Sequence, residues 1–180
     1  GNTHWSPLSA TLVLMGHEGG VSSVAFKPNG QHFVTGGADK LVKLFDLTGK
    51  MIRQFSGPTG VVNSVAVRGD SLQVAAGASD NHVYLWNADN GQVEQKIPTP
   101  AAVVSIAYSA DNTKIVAAGT DRQLRVFNIA DAQMLEDIAV SPPITSVAVA
   151  PDNGSIVIGS ADNNAYVYST SLIRLLTGHE

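Results

Sequence analysis

The chain has 180 residues, of which 44% are hydrophobic and only 14% are charged, and its formal net charge is −4. Soluble domains usually carry about 25% charged residues. A nucleic-acid-binding module needs a basic surface to neutralise phosphates, so this charge balance argues against one. The chain has no cysteine, which excludes disulfide scaffolds, thiolate metal sites and cysteine nucleophiles. Its 17 glycines and 8 prolines are typical of a turn-rich chain, so the composition indicates an all-β domain.

The sequence carries no visible targeting or membrane signal. Its apolar runs are of strand length and fall well short of the roughly 18 residues that a membrane helix requires. Residues 1–10 lack a basic segment followed by an apolar one, so no signal peptide is predicted and the compartment is left open. Gly1 at the start and Gly178-His179 near the end favour a chain excised from a longer protein.

The first unit of the chain reads as four short strands separated by turns. Val21–Phe26 is predicted as a strand that ends in an aromatic residue, and the Pro-Gly turn of residues 27–30 follows it. The next strands are predicted over residues 31–35, 41–45 and 51–55, with turns at 36–40 and 46–50. Four strands within about 40 residues, joined by tight turns, predict an antiparallel meander.

This unit recurs with a period of 41 residues, which three sequence columns share. A small inner-strand triplet occupies residues 23–25, 64–66, 105–107 and 146–148. A turn aspartate follows as Asp39, Asp80, Asp121 and Asp162. An aromatic residue then appears as Phe45, Trp86, Phe127 and Tyr168. Three columns with one period predict four equivalent structural units.

Characteristic dipeptides mark the ends of these units. Gly16-His17 opens the first unit, and Gly178-His179 opens a fifth. The closing dipeptides are Phe45-Asp46, Trp86-Asn87, Phe127-Asn128 and Tyr168-Ser169. On these motifs the chain resembles the WD-repeat β-propeller family over residues 12–180, with residues 1–11 as an N-terminal tail.

The resemblance implies a β-propeller of four-stranded antiparallel blades, with four blades in this chain. In this family a blade is offset from the sequence repeat, because the strand before each Gly-His is the outer strand of the preceding blade. This offset places the blades at about residues 21–55, 62–97, 103–138 and 144–176. One further strand, Leu12–Met15, is left over before the first blade.

The resemblance also implies a hydrogen-bond network of His, Ser or Thr, Asp and Trp inside each blade. Only the first unit keeps most of it, as His17, Thr35 and Asp39, because the second unit has Pro58 and Ala76 at the His and Thr positions. The remaining residues assigned to this structural network are Asp80, Asp121, Asp162, Trp86 and His179.

The same polar residues have alternative interpretations as a catalytic triad or a cation site. As a cation site, the four turn aspartates would form a ring of carboxylates around the ion. However, an aspartate in a tight turn commonly accepts hydrogen bonds from backbone N–H groups. The sequence contains no nucleophile elbow, phosphate loop or dinucleotide fingerprint. We therefore expect a chain that is not an enzyme and that binds no cofactor or metal.

The family resemblance implies a protein or peptide partner rather than nucleic acid or a membrane. Partners of such propellers usually dock on the face that carries the loops entering each blade and the turns between second and third strands. The candidate partner-binding residues on that face are Glu18, Lys40, Asn81, Arg122 and Asn163. Aromatic anchors, which dominate many interfaces, are scarce there.

Ring closure is the main consequence of counting four units. The family typically closes with seven or eight blades, so four of them would expose two apolar faces. Two chains paired head to tail would close eight blades, which predicts a homodimeric interaction scaffold. The alternatives are a non-catalytic propeller portion of a larger enzyme and a propeller fragment with no independent ligand.

Overall fold

The computed structural model of the chain describes residues 10, 13 and 16–169. Fifteen strands form four antiparallel sheets in this part of the chain, which contains no helix. The sheets are arranged as four blades of a β-propeller, so the predicted all-β class and four-bladed architecture are confirmed.

Within each blade the strands pair in chain order, from an inner strand to an outer one. Blade 1 contains β1 (Val21–Phe26), β2 (His32–Gly37), β3 (Val42–Asp46) and β4 (Met51–Phe55). Blade 2 contains β5 (Val62–Val67), β6 (Gln73–Ala78), β7 (His82–Asn87) and β8 (Val93–Pro98). Blade 3 contains β9 (Val103–Tyr108), β10 (Lys114–Gly119), β11 (Gln123–Asn128) and β12 (Met134–Ala139). Blade 4 contains β13 (Ile144–Val149), β14 (Ser155–Ser160) and β15 (Ala165–Ser169).

Two predicted strands fall beyond this part of the chain. The fourth strand of blade 4, expected to end near residue 176, lies outside the described residues. So does the strand Leu12–Met15, apart from Val13, whose side chain is exposed. None of the described residues forms a helix long and apolar enough to cross a membrane.

The hairpins share one local geometry. Each hairpin among the described strands contains a residue with positive φ near the end of its turn. In the β1–β2 turn and its equivalents these residues are Gly30, Ser71, Asn112 and Asn153. The N–H of Gly30 donates to the carbonyl of Lys27 at 2.9 Å, and the other three turns repeat that bond. A tight turn followed by a left-handed residue joins antiparallel strands without splaying them, which is why the turn chemistry recurs with the repeat.

The hydrophobic cores lie between blades. Val34, Val42 and Leu44 of blade 1 pack against Val62 and Val65 of blade 2 in the first core. Equivalent clusters join blade 2 to blade 3 and blade 3 to blade 4. Within the described residues no such core joins blade 4 to blade 1. The four blades therefore form an arc in which each sheet is stabilised by its neighbour.

Candidate functional site

The face that carries the β2–β3 turns presents a regular row of exposed polar residues. Four of them occupy the position after the turn aspartate, and one lies in the linker that enters blade 1. We call this set the loop face: Glu18, Lys40, Asn81, Arg122 and Asn163, all exposed.

Four of these residues share a left-handed backbone. The φ angles are 69° at Lys40, 65° at Asn81, 62° at Arg122 and 74° at Asn163. Asparagine tolerates this conformation, whereas it costs most other L-residues roughly 1–2 kcal/mol. The turn therefore holds all four side chains outward, and it does so at a conformational cost for Lys40 and Arg122.

A buried hydrogen-bond chain lies beneath the loop face in blade 1. One ring nitrogen of His17, Nδ1, lies 2.8 Å from Asp39 Oδ1, and the other, Nε2, lies 2.6 Å from the Thr35 hydroxyl. Asp39 Oδ2 accepts from the N–H of Glu18 at 3.2 Å. Burial acts to raise the pKa of Asp39, but its bonds to His17 and to backbone N–H groups outweigh that effect and lower it. The structure thus brings His17, Thr35 and Asp39 together and ties them to the linker that enters the blade.

Blade 2 holds its turn aspartate by a different partner. The hydroxyl of Tyr84 donates to Asp80 at 2.5 Å, and the N–H of Thr59 donates to the same oxygen at 2.9 Å. Burial, together with this carboxylate, raises the pKa of Tyr84 well above its usual value. The tyrosine supplies the contact to the turn aspartate that His17 supplies in blade 1. The turn of blade 2 therefore stays anchored although Pro58 stands at the histidine position.

Blades 3 and 4 also hold their turn aspartates with a side chain from the third strand, an arginine in blade 3 and a tyrosine in blade 4. The guanidinium of Arg125, which is buried, donates two hydrogen bonds to Asp121. That contact is the main cause that lowers the pKa of Asp121. In blade 4 the hydroxyl of Tyr166 donates to Asp162, which also accepts from the N–H of Asn164 at 3.0 Å. Each turn aspartate is therefore bonded within its own blade.

Trp86, which was assigned to the network, lies elsewhere. The indole Nε1 of Trp86 donates to the carbonyl of Ser56 at 3.0 Å, away from Asp80. Its ring stacks on Tyr84, with ring centroids 5.6 Å apart, in the core between blades 1 and 2. His179 lies outside the described residues.

Sequence reasoning missed the column four residues after each turn aspartate. This column contains Lys43, Tyr84, Arg125 and Tyr166. Three of its members bond the aspartate, and Lys43 Nζ donates to the carbonyl of Gly16 at 2.6 Å. The signal was present in the 41-residue register, but the residue types differ, so a search for one repeated side chain does not find it.

The polar groups of the described residues do not gather into a metal site. Within residues 16–169, His, Asp and Glu side chains nowhere form a group of three or more placed to hold a metal ion. The carboxylates recur once per blade and are separated by the blade spacing. What the arrangement can do chemically is anchor turns and present exposed side chains.

Comparison with known proteins agrees with this architecture. A family model described as WD domain, G-beta repeat, matches the chain at residues 8–46, 49–87, 91–128 and 139–169. These four matches cover more than half of the chain. The chain belongs to the WD40 family.

One curated relative matches a shorter stretch. The pre-mRNA-splicing factor PRP46 of Yarrowia lipolytica (strain CLIB 122 / E 150) is 47% identical over 47 residues. The match covers 26% of this chain and 11% of that protein. The matched stretch therefore spans about a tenth of the length of this relative.

The first and last WD40 blades each expose one sheet face. The equivalent face of the other blades is buried in a junction between two blades. On blade 1 we define the leading face as Val24, Phe26, Phe33 and Leu47, which line a shallow apolar groove with Ala25. Val24 is 66% exposed, whereas its equivalents Val65 and Ile106, which another blade covers, are 6% and 5% exposed.

The opposite end of the arc has the same property. On blade 4 we define the trailing face as Ala148, Val157, Ala165 and Val167, the positions that in blade 1 are Ala25, Val34, Val42 and Leu44. Val167 is 69% exposed, against 2% for Leu44 and 0% for Leu85 at the same position. Both faces keep the apolar residues of a blade junction without a neighbouring blade in the described arc.

Proposed function

We propose that this WD40 chain is a protein-interaction scaffold that completes an eight-bladed ring by pairing with a second copy. The exposed leading and trailing faces carry this proposal, since apolar surface is normally buried between blades. When the leading face of each chain packs on the trailing face of the other, both faces of both chains are buried. The assembly is closed and has two identical junctions.

The loop face is the proposed docking surface for a protein or peptide partner. Propellers of the WD40 family generally mediate protein interactions, and here the β2–β3 turns hold Lys40, Asn81, Arg122 and Asn163 exposed on one side. Lys40 and Arg122 give this surface two cationic groups at positions whose left-handed backbone is better suited to asparagine. This pattern suits a partner segment that carries carboxylates.

The proposal assigns no reaction to the chain. The groups that a hydrolytic triad would use, His17, Thr35 and Asp39, bond one another and the entering linker. Polar groups satisfied in this way act as structural ties between the turn and the strand.

Light scattering coupled to size-exclusion chromatography tests the ring. We expect a concentration-independent mass twice that of one 18.8 kDa chain. A single-chain mass at every concentration would overturn ring closure by self-association.

A charge-reversal pair tests the loop face. Partner proteins captured by the wild-type chain should be lost with Lys40→Glu and retained with Lys50→Glu, which changes an exposed lysine in the β3–β4 turn on the opposite face. Equal capture by both variants would place the partner surface elsewhere.

A further inference from the structure

The three inner junctions share a hydrogen bond that gives them a direction. The hydroxyl of Ser23 accepts from the N–H of Val65, and that of Ser64 accepts from the N–H of Ile106, each at 3.1 Å. Ser105 accepts from Val147 in the same way at 3.1 Å. The acceptor always belongs to the trailing side of one blade, and the donor to the leading side of the next.

The two ends of the arc carry the two halves of a fourth such bond. Ser146 is the next serine in this column; it is exposed, and no described residue hydrogen-bonds its hydroxyl. On the leading side, Val24 pairs with Thr35 in the register in which Val65 pairs with Ala76. The N–H of Val24 therefore occupies the donor position of an interblade bond.

The sizes of the end-face residues are also complementary. The trailing face has Ala165 where the inner blades have Val42, Val83 and Leu124. The leading face has Phe33 where the following blades have Val or Ile. A smaller trailing face against a larger leading face keeps the volume of a junction, which is what core packing requires.

The inner turns add a second junction bond. The N–H of Gly69 donates to Asn112 Oδ1 at 3.0 Å, and the N–H of Ala110 donates to Asn153 Oδ1 at 2.8 Å. The donor again comes from one blade and the asparagine from the next.

At the ends, both partners of this turn bond are absent together. The donor position of blade 4 is Pro151, which has no N–H, and the acceptor position of blade 1 is Gly30, which has no side chain. The junction of blades 1 and 2 also has a proline at the donor position, Pro28, and it has Ser71 rather than asparagine at the acceptor position. A donor-free turn on blade 4 therefore matches an acceptor-free turn on blade 1.

We propose that the leading face of blade 1 docks on the trailing face of blade 4 of a second copy, with the Ser146 hydroxyl accepting from the N–H of Val24. This pairing rests on the proposed ring and specifies its interface and its polarity. Two leading faces placed together would set donor against donor, so only the head-to-tail arrangement repeats the inner junctions.

Mixing two variants of the full chain tests the polarity. Val24→Asp spoils the leading face, and Val167→Asp spoils the trailing face; both sites are largely exposed, so the blades should keep their fold, which circular dichroism checks. Each variant alone should be a monomer, because every junction needs both faces. An equimolar mixture should form a heterodimer through the one intact junction, whereas the control Leu72→Asp, at another exposed apolar site, should stay dimeric.

The outcomes separate this inference from the ring itself. If either single variant remains dimeric, or if the mixture stays monomeric, the head-to-tail pairing is overturned while a wild-type dimer stands. If the wild-type chain is a monomer, both proposals fail.

Ser146→Ala tests the hydrogen bond within the interface. We expect the dimer dissociation constant to rise about a hundredfold, because a dimer with two identical junctions loses two such hydrogen bonds, each corresponding to about tenfold, and leaves two buried N–H groups unpaired. Ser56→Ala, at an exposed serine outside both end faces, should leave the constant unchanged. An unchanged constant for Ser146→Ala would remove this bond from the interface.

Discussion

At the residue scale, the turn aspartates act as fixed acceptors rather than as free surface charges. Asp39, Asp80, Asp121 and Asp162 all have lowered pKa values. A carboxylate with a lower pKa in the folded state stabilises the fold above its unfolded pKa of about 4, and this contribution is lost as the pH falls through the folded pKa. The fold is therefore expected to lose stability in acid.

Asp121→Asn measures this contribution at one blade. The substitution removes the carboxylate that accepts two hydrogen bonds from the buried guanidinium of Arg125 and leaves only Asp137, whose Oδ2 lies 3.8 Å from Nε. We expect a loss of about 1–2 kcal/mol in the free energy of unfolding at pH 7, less than for a fully buried pair because Asp121 is partly exposed. Urea unfolding should show this difference from wild type shrinking as the pH falls below about 4, because the carboxyl of the unfolded chain then binds a proton while the native carboxylate, whose pKa is lowered, stays ionised. A difference that does not depend on pH, or an equal loss in the exposed control Asp89→Asn, would contradict the assignment.

The left-handed loop-face residues allow a second residue-scale prediction. Replacing Lys40 by asparagine puts a residue that tolerates positive φ at a position with φ of 69°. Because the native residue is strained there, Lys40→Asn should raise the free energy of unfolding by about 0.5–1 kcal/mol. Thermal and urea unfolding check the gain, with Lys50→Asn as the control. Lower stability in Lys40→Asn would mean that the lysine side chain makes a stabilising contact.

At the element scale, the inner strand of each blade carries the connection to the next blade. The serine in its centre belongs to the small inner-strand triplet of the repeat, and it also accepts a hydrogen bond across the junction. A sequence column shows that a serine recurs, whereas only the register of two neighbouring sheets shows which N–H group it meets.

Ser64→Ala tests the connection between blades 2 and 3. Removing this hydroxyl leaves the N–H of Ile106 unpaired in a buried junction, so we expect a loss of about 1–3 kcal/mol in unfolding free energy. The matched control is Ser146→Ala in the Val167→Asp background, where no neighbouring blade is expected and stability should not change. Equal effects of the two alanines would show that the hydroxyls act within their own strands.

The hydrogen bonds to the turn aspartates at the start of each third strand show where sequence reasoning stops at this scale. The turn aspartates were predicted from their recurrence, but Tyr84 and Arg125 were not predicted as their partners. These side chains differ in type and share only a position across the turn. Their common role follows from the folded hairpin, which brings each of these side chains and the carboxylate of the turn aspartate to the same side of the blade.

At the scale of the whole molecule, the proposed ring predicts that the stability of the four-bladed arc depends on assembly. A dimer that hides both end faces couples folding to association, so its thermal midpoint should rise with protein concentration. We expect this rise in the wild-type chain and expect Val167→Asp to abolish it, as differential scanning fluorimetry over a hundredfold concentration range would show. A concentration-independent midpoint in the wild type would point to an arc that is stable alone.

The sequence by itself determined the repeating unit: the 41-residue period, four strands per unit and a turn chemistry that is local and therefore readable. The tertiary structure alone decided which groups meet across blades and which faces stay uncovered. Val24 and Val65 are the same residue in the same column, yet one is 66% exposed and the other 6%. The difference is the presence of a neighbouring sheet, because burial at a blade face is a property of two blades and not of the sequence of either one.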